Sequence, residues 1–357
     1  MNGNKSSKNQ LKLLLCSSDR THIKTSQIKI FKELLFMNFN TTFFDLFDYF
    51  ESFGRTQTEN YIKNIIKDFQ IILIQTDKPF YNFNFFKELK KINNEIIIVY
   101  TDGDAIQNFP SYSVNFINEI DIYAVTDSLK VVNYLNKNNT KSFFWYTQYK
   151  QDFFKLEDRL KINDVIFYGG SKNRKDYLNY IKENNISLNV YGRGFQPDFT
   201  PIKTLNKFIN KSKIGLSLNF VQQDRKWKNN YFNDFNNCKH VKGKNIEIPL
   251  CGTFLLAEYL EDLEELYINK KEAVYFENKK EMIELIQYYL KNSEEREQIA
   301  MAGYNKALNN YEGSVMTEKL VKEIKDFYLK REENLKNKNQ IKYKQEVDWY
   351  VTWSLNH

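Results

Sequence analysis

At 357 residues the chain is too long for one comfortable core and about right for two domains. It is 42% hydrophobic and 27% charged, an ordinary globular balance. The net charge of +7 is spread as lysine among acidic residues. That distribution reads as solvated surface and argues against a dedicated nucleic-acid binder, which concentrates its basic residues in a stripe, yet it still suits an anionic donor, acceptor or membrane face.

The first ten residues are polar and lack the apolar core of a signal peptide, and no apolar run approaches the ~20 residues that span a bilayer. A soluble, cytoplasmic protein is expected, with peripheral membrane contact open. Short apolar runs then alternate with amphipathic segments, at 11–16, 42–46, 71–75, 95–100, 121–125 and 142–146. After the polar joint at 149–163 the runs resume at 164–168, 187–191, 213–218, 253–257 and 273–276. Strands alternating with helices predict an α/β fold with parallel sheets. In 281–291, Met282, Leu285, Ile286 and Tyr289 share one helical face. Asn292 and Glu295 have the spacing of a capping box for the following helix. From 312 a long helical pattern runs to about 335, and a polar tail follows, carrying Trp349, Tyr350 and Trp353. The expected division is an N-terminal Rossmann-like domain over 1–155, a C-terminal one over 156–325, and a helix and tail over 326–357.

The three cysteines, Cys16, Cys238 and Cys251, show neither metal spacing nor a paired pattern; Cys16 and Cys251 sit in apolar contexts and read as core, which fits a reducing compartment. The aromatic content of 16% comes with abundant Asn, Lys and Ile and reads as base-composition bias. The segment 221–245 is long, polar and dotted with aromatics, which marks a functional or disordered loop.

In open parallel sheets ligands bind outside the carboxyl ends of the strands, so the residues just after each strand carry the chemistry. In the second half these are Gly169-Gly170-Ser171, Gly192-Arg193-Gly194, Asn219 and the stretch from Lys242 to Glu258. Gly169 and Gly170 allow backbone N–H groups to approach a phosphate, and Arg174 falls in the first turn of the next helix. The plainer reading is a pair of turn glycines beside a solvated arginine. Glu247 stands five residues before Gly252, with an apolar strand directly after, and Lys242 and Lys244 lie just upstream. A carboxylate there can accept two hydrogen bonds from a vicinal diol such as a ribose. In the first half, Asp19 and His22 occupy the loop after the first strand, as proton acceptors or as an ordinary surface turn. Asp102 and Asp104 follow the fourth strand.

The ordered blocks Asp164-Val-Ile-Phe-Tyr-Gly-Gly-Ser171 with Arg174, Leu188-Asn-Val-Tyr-Gly-Arg-Gly194, Ile214-Gly-Leu-Ser-Leu-Asn219 and Ile246-Glu-Ile-Pro-Leu-Cys-Gly-Thr-Phe-Leu-Leu256 resemble the C-terminal domain of GT-B glycosyltransferases, especially the spore-maturation CgeB-like group. The resemblance covers about residues 160–325. It implies two Rossmann-like domains facing across a cleft, with a C-terminal helix placed to cross back to the first domain. It implies a nucleotide diphosphate sugar, a UDP-sugar above all, as donor substrate, with no further cofactor and no metal. Glu247 matches the carboxylate that binds the donor ribose, and Gly169, Gly170, Ser171 and Arg174 match the diphosphate-facing loop. Gly192, Arg193, Asn219 and Gly252 belong to the same matching blocks. Lys244 falls where the group has Arg, and Lys239 falls where retaining relatives place a second Glu, so those two contacts depart from the pattern. Asp19 and His22 face the cleft in such a fold. Asp102 and Asp104 resemble the metal-holding Asp-x-Asp of GT-A enzymes, but two α/β halves favour a contact to the transferred sugar or acceptor instead. The expected function is transfer of a sugar to a hydroxyl of a glycan, cell-surface polymer or protein. A phage-type transferase acting on DNA bases and a non-catalytic nucleotide-binding module are the alternatives.

Overall fold

The computed structural model describes residues 10–17, 26–75, 81–109, 112–146, 154–171, 174–195, 199–219 and 239–355, with backbone alone for 26–30, 107–108 and 338–355. The first half folds in the order β1 (Lys12–Ser17), α1 (Ser26–Asn38), β2 (Asn40–Asp45), α2 (Leu46–Ile65), β3 (Ile71–Gln75), α3 (Phe85–Ile92), β4 (Ile97–Asp102), α4 (Ala105–Asn108), β5 (Ile122–Val125), α5 (Leu129–Lys137) and β6 (Lys141–Phe144). The second half continues with β7 (Asn163–Tyr168), α6 (Lys175–Glu183), β8 (Leu188–Tyr191), α7 (Ile202–Asn210), β9 (Ser212–Ser217), α8 (Lys244–Leu250), β10 (Phe254–Glu258), α9 (Glu261–Leu266), β11 (Val274–Phe276), α10 (Lys279–Lys291), α11 (Ser293–Tyr311) and α12 (Gly313–Leu355).

Each half builds one parallel sheet. The first has six strands in the order β2-β1-β3-β4-β5-β6, the second five in the order β11-β10-β9-β7-β8. Both sheets place their first strand between their second and third, so the order reverses beside β1 and β7. At such a point the crevice above the carboxyl ends is open to a ligand. Register pairs Leu14 with Thr42 and Ile72 in the first sheet, and Val165 with Leu188 and Ile214 in the second. The central strands Ile71–Gln75 and Ile97–Asp102 are buried at every residue, because helices cover both faces of a parallel sheet. The second core gathers Val165, Phe167, Leu216, Phe254 and Leu256 against Met282, Ile286 and Ile299 of α10 and α11.

The two sheets lie in one compact unit, Met1–Thr317; Glu318–His357 forms a second. The joint between sheets is fastened along α7: Lys155 N–H donates to Asn206 Oδ1 (3.0 Å) and Glu157 N–H to Asn210 Oδ1 (2.8 Å). Cys16 and Cys251 are buried free thiols, as expected; Cys238 lies outside the described residues. No helix among the described residues is long and apolar enough to cross a membrane.

Two expectations are corrected. Asn292 makes no side-chain cap to α11; its Nδ2 donates to Tyr288 O (2.8 Å), closing the end of α10, and Glu295 accepts from the Tyr288 hydroxyl instead. The cap with that spacing is one helix earlier, where Asn278 Oδ1 accepts from Glu281 N–H (3.0 Å). The helix expected to end near 335 runs on to Leu355. Its later part is rich in Lys, Gln, Glu and Asn and free of Pro and Gly, so propensity sustains it where apolar periodicity has stopped.

Candidate functional site

Helix α8 contains Lys, Asn and Glu, yet every one of its residues is buried. It lies tight on β9 because position 215 is glycine: a Cβ there would come within 2.6 Å of Ile248 Cγ2. This seat places Glu247, 2% exposed, where the two sheets meet. Its Oε2 accepts from the Tyr168 hydroxyl at the end of β7 (2.8 Å), and its Oε1 from Tyr146, two residues past β6 (3.2 Å). Burial first, then the Glu247 charge, pushes both phenols well above their usual range, so both stay protonated donors. The carboxylate is thereby oriented from both lobes. Gly252 ends the same helix in the left-handed region (φ +60°), its N–H donating to Pro249 O (2.7 Å), and so turns the chain into β10.

Lys244 points under the glycine turn. Its Nζ donates to Tyr168 O (2.6 Å) and stands 4.1 Å from the Phe167 ring centre. A side chain at position 169 would approach that Nζ to 3.3 Å. The turns after β7 and β8 pack backbone to backbone: Gly169 N–H donates to Tyr191 O and Ser171 N–H to Arg193 O, both at 2.9 Å. Gly192 (φ +109°) permits this, since a Cβ there would meet Gly169 O at 2.8 Å. The Arg193 side chain is exposed. Arg174 Nη1 donates to Gly170 O (2.8 Å), fixing the guanidinium beside the turn.

Asn219, beyond β9, is fully buried and donates from its backbone to Glu258 Oε2 (2.8 Å) and from Nδ2 to Glu258 O (2.7 Å). The other Glu258 oxygen pairs with Lys239 Nζ at 3.0 Å. Lys239 is thus engaged with a carboxylate across the sheet end.

From the first lobe come Asp104 and Asp127, in the loops after β4 and β5. The carboxylates of Asp102 and Asp104 do different jobs. Asp102 is fully buried, accepting from Tyr123 (3.0 Å) and Ser113 (3.3 Å) hydroxyls and from Asp104 N–H (3.0 Å), so it braces its own loop. Asp104 instead gathers with Asp127 and His240, each offering a potential ligand atom within 4.8 Å of the others. Asp127 accepts from Ile106 N–H (3.2 Å) and contacts His240 Nδ1 (3.0 Å). Burial, then the Asp104 charge, pushes the Asp127 carboxyl well up. Lys242 is beside this group: burial and the Arg174 charge lower its ammonium to about 8, opposed by Asp104, Asp127 and Glu258. Two cations so close oppose a metal ion at the acidic pair and favour an anionic ligand. Asp19 and His22 lie outside the described residues, as does most of 221–245.

Sequence reasoning missed Asp127, His240, Glu258 and the two tyrosines. For Asp127 the signal was present, since it is the second residue past an apolar run, and the rule applied to the other strand ends reaches it too.

Residues 172–322 match the family model described as glycosyl transferase-like. No curated protein matches the chain. Among solved structures, HepE from Anabaena in complex with UDP and glucose has a TM-score of 0.59 at 9% identity, over 88% of this chain and 100% of that one. The fold is that of the GT-B glycosyltransferases. Sucrose-phosphate synthase from Thermosynechococcus elongatus gives 0.58 at 8% identity, over 90% of this chain and 100% of that chain. The pneumococcal O-GlcNAc transferase GtfA, solved with UDP and GlcNAc, gives 0.53 at 10% identity, over 75% of this chain and 60% of that one. On this GT-B frame the polar cluster stands at the carboxyl ends of both sheets, and the matched segment contains Arg174, Asn219, His240, Lys242, Lys244 and Glu247.

Proposed function

We propose that the protein is a glycosyltransferase, akin to the CgeB-like group, that moves a sugar from a UDP-sugar to a hydroxyl of a glycan, cell-surface polymer or protein. In this reading residues 156–325 form the donor domain and 1–155 the acceptor domain. The observation that carries it is Glu247, a buried carboxylate oriented by hydroxyls from both lobes at the sheet ends. A ribose diol is the complement of such a carboxylate, offering two O–H donors to a fixed acceptor. Beside it, Arg174 and Lys242 supply the positive charge that a diphosphate requires, and Gly170 lets it come close to the backbone of a turn whose Gly169 and Ser171 N–H groups are already engaged. The same cations stabilise the leaving diphosphate as the sugar–oxygen bond lengthens, when its charge is greatest. The UDP and sugar ligands named for the structural neighbours support the nucleotide assignment.

The test is the melting-temperature shift that millimolar UDP produces in the wild type, Glu247→Ala and Glu247→Gln. The wild type should gain several degrees, on the order of 2–3 kcal/mol at 100 times Kd. Both variants should lose most of that gain; Gln keeps an acceptor oxygen for the tyrosines, so it separates lost charge from lost packing. Equal gains in all three proteins would remove Glu247 from the nucleotide site.

A further inference from the structure

His240 lies on the stretch leading into α8 and is fixed between the lobes. Its backbone N–H donates to Asn219 O (3.1 Å), and the N–H of Val241 donates to Asp127 O (2.8 Å). The ring is buried, 4% exposed, and its Nδ1 stands 3.0 Å from Asp127 Oδ2. That carboxylate is itself anchored, accepting the Ile106 N–H. The other ring nitrogen, Nε2, is buried and has no hydrogen-bond partner among the described residues. A neutral imidazole has one donor and one acceptor nitrogen. Burial and the Asp104 charge hold the Asp127 carboxyl up; once it has ionised, the carboxylate at Nδ1 keeps the ring proton there and leaves Nε2 as an acceptor, the form in which the base works. A buried acceptor left without a donor is costly, so the site calls for an incoming O–H.

The place is right for chemistry as well as for binding. His240 sits seven residues before Glu247, with Asp104 of the first lobe close by and Lys242 two residues on. The charged groups gathered here are Asp104 and Asp127 from the first lobe and Lys242, Arg174 and Glu258 from the second.

We propose that His240 is the general base of the transfer reaction, with Asp127 as its positioning residue; this rests on reading the protein as a glycosyltransferase. The acceptor O–H gives its proton to Nε2 while its oxygen bonds to the anomeric carbon of the donor. The bond from that carbon to the distal phosphate oxygen breaks, and its electron pair leaves with UDP. Asp127 stabilises the imidazolium, which then returns its proton to solvent.

The test follows UDP release from UDP-glucose, UDP-galactose and UDP-N-acetylglucosamine with water as acceptor, alongside UDP affinity by calorimetry. His240→Gln should lower the rate of UDP release at least a hundredfold, the lower range for a lost general base, and leave UDP affinity within twofold. In the wild type that rate should rise with pH along a limb of unit slope, and the limb should vanish in His240→Gln. Asp127→Asn should lower the rate and leave UDP affinity unchanged. With only three histidines in the chain, ¹⁵N spectra of wild type against His240→Gln isolate this ring, and its proton should be on Nδ1. A variant that releases UDP at the wild-type rate, or a proton found on Nε2, would overturn the proposal. So would activity abolished by a chelator and restored by Mn²⁺ or Zn²⁺, which would give Asp104, Asp127 and His240 to a metal. UDP binding with no release from any of the three donors would overturn the base while sparing nucleotide recognition. A wild type that does not bind UDP removes both readings.

Discussion

Lys242 is a buried ammonium, and the Arg174 guanidinium adds to the pressure that burial puts on it to shed its proton. Its folded pKa is about 8, against 10.5 for the free side chain, so it is charged below about 8 and neutral above. UDP keeps a constant charge above about pH 7, because the second phosphate ionisation lies near 6. UDP affinity should therefore fall between pH 7 and 9, with proton uptake on binding near pH 8, and Lys242→Met should bind roughly tenfold more weakly at pH 7 with that dependence flattened. Calorimetry in two buffers of different ionisation enthalpy reads both effects; a parallel pH profile in the variant would place the diphosphate away from Lys242. Much of the layout of this candidate site could be read in the sequence. Glu247, Arg174 and the glycine turn declared themselves because short spacings fix their relation to a strand end. Lys244, by contrast, braces the Tyr168 carbonyl, and no spacing tells which way a lysine beside a helix start will turn. Asp127 and His240 are 113 residues apart and meet only once the lobes are docked.

The elements were legible for a related reason. All eleven expected apolar runs are strands, with ends displaced by a residue or two; the central strands β3 and β4 are buried at every residue and largely apolar, whereas the edge strands β2 and β8 keep polar, less buried positions. The seat of α8 on β9 was less legible, since it depends on Gly215 meeting one particular side chain. In Gly215→Ala the new Cβ would press on three atoms of Ile248, at 2.6, 2.9 and 2.9 Å. The cost should be about 1–3 kcal/mol, and the displaced helix should carry Glu247 out of position and weaken UDP binding in the same protein. Ile248→Ala creates a cavity alone, yet in the double variant it should recover part of both losses. Urea unfolding of the four proteins gives the coupling energy, and simple additivity would show that the helix does not rest on that contact.

At the scale of the whole molecule, the two lobes contribute different parts of one charged cluster: Asp104 and Asp127 from the first, Arg174, Lys242 and Glu258 from the second, with the His240 ring against Asp127. This cluster is absent from either half of the sequence taken alone. Docking the lobes also buries acidic groups at a cost. Asp262, from α9 of the second lobe, accepts the Leu129 N–H that opens α5 of the first (2.7 Å). Its carboxyl is pushed up to about 6, by burial first and then by the charges of Asp127 and Glu261 against the help of the Leu129 amide. The unfolded value is near 3.8, so between about pH 4 and 6 the folded protein holds the proton that the unfolded chain has released. Stability contributed here is therefore present at low pH and lost as pH rises through that window, the reverse of a carboxylate held by a cation. Asp262→Asn keeps an oxygen for the Leu129 amide and removes the titration. Measured by urea midpoint, Asp262→Asn should be close to wild type at pH 4 and more stable than it at pH 7 by about 2 kcal/mol. A difference that stays constant across that range, or that grows toward acid, would mean that Asp262 is ionised at little cost and that the lobes are not paying for its burial.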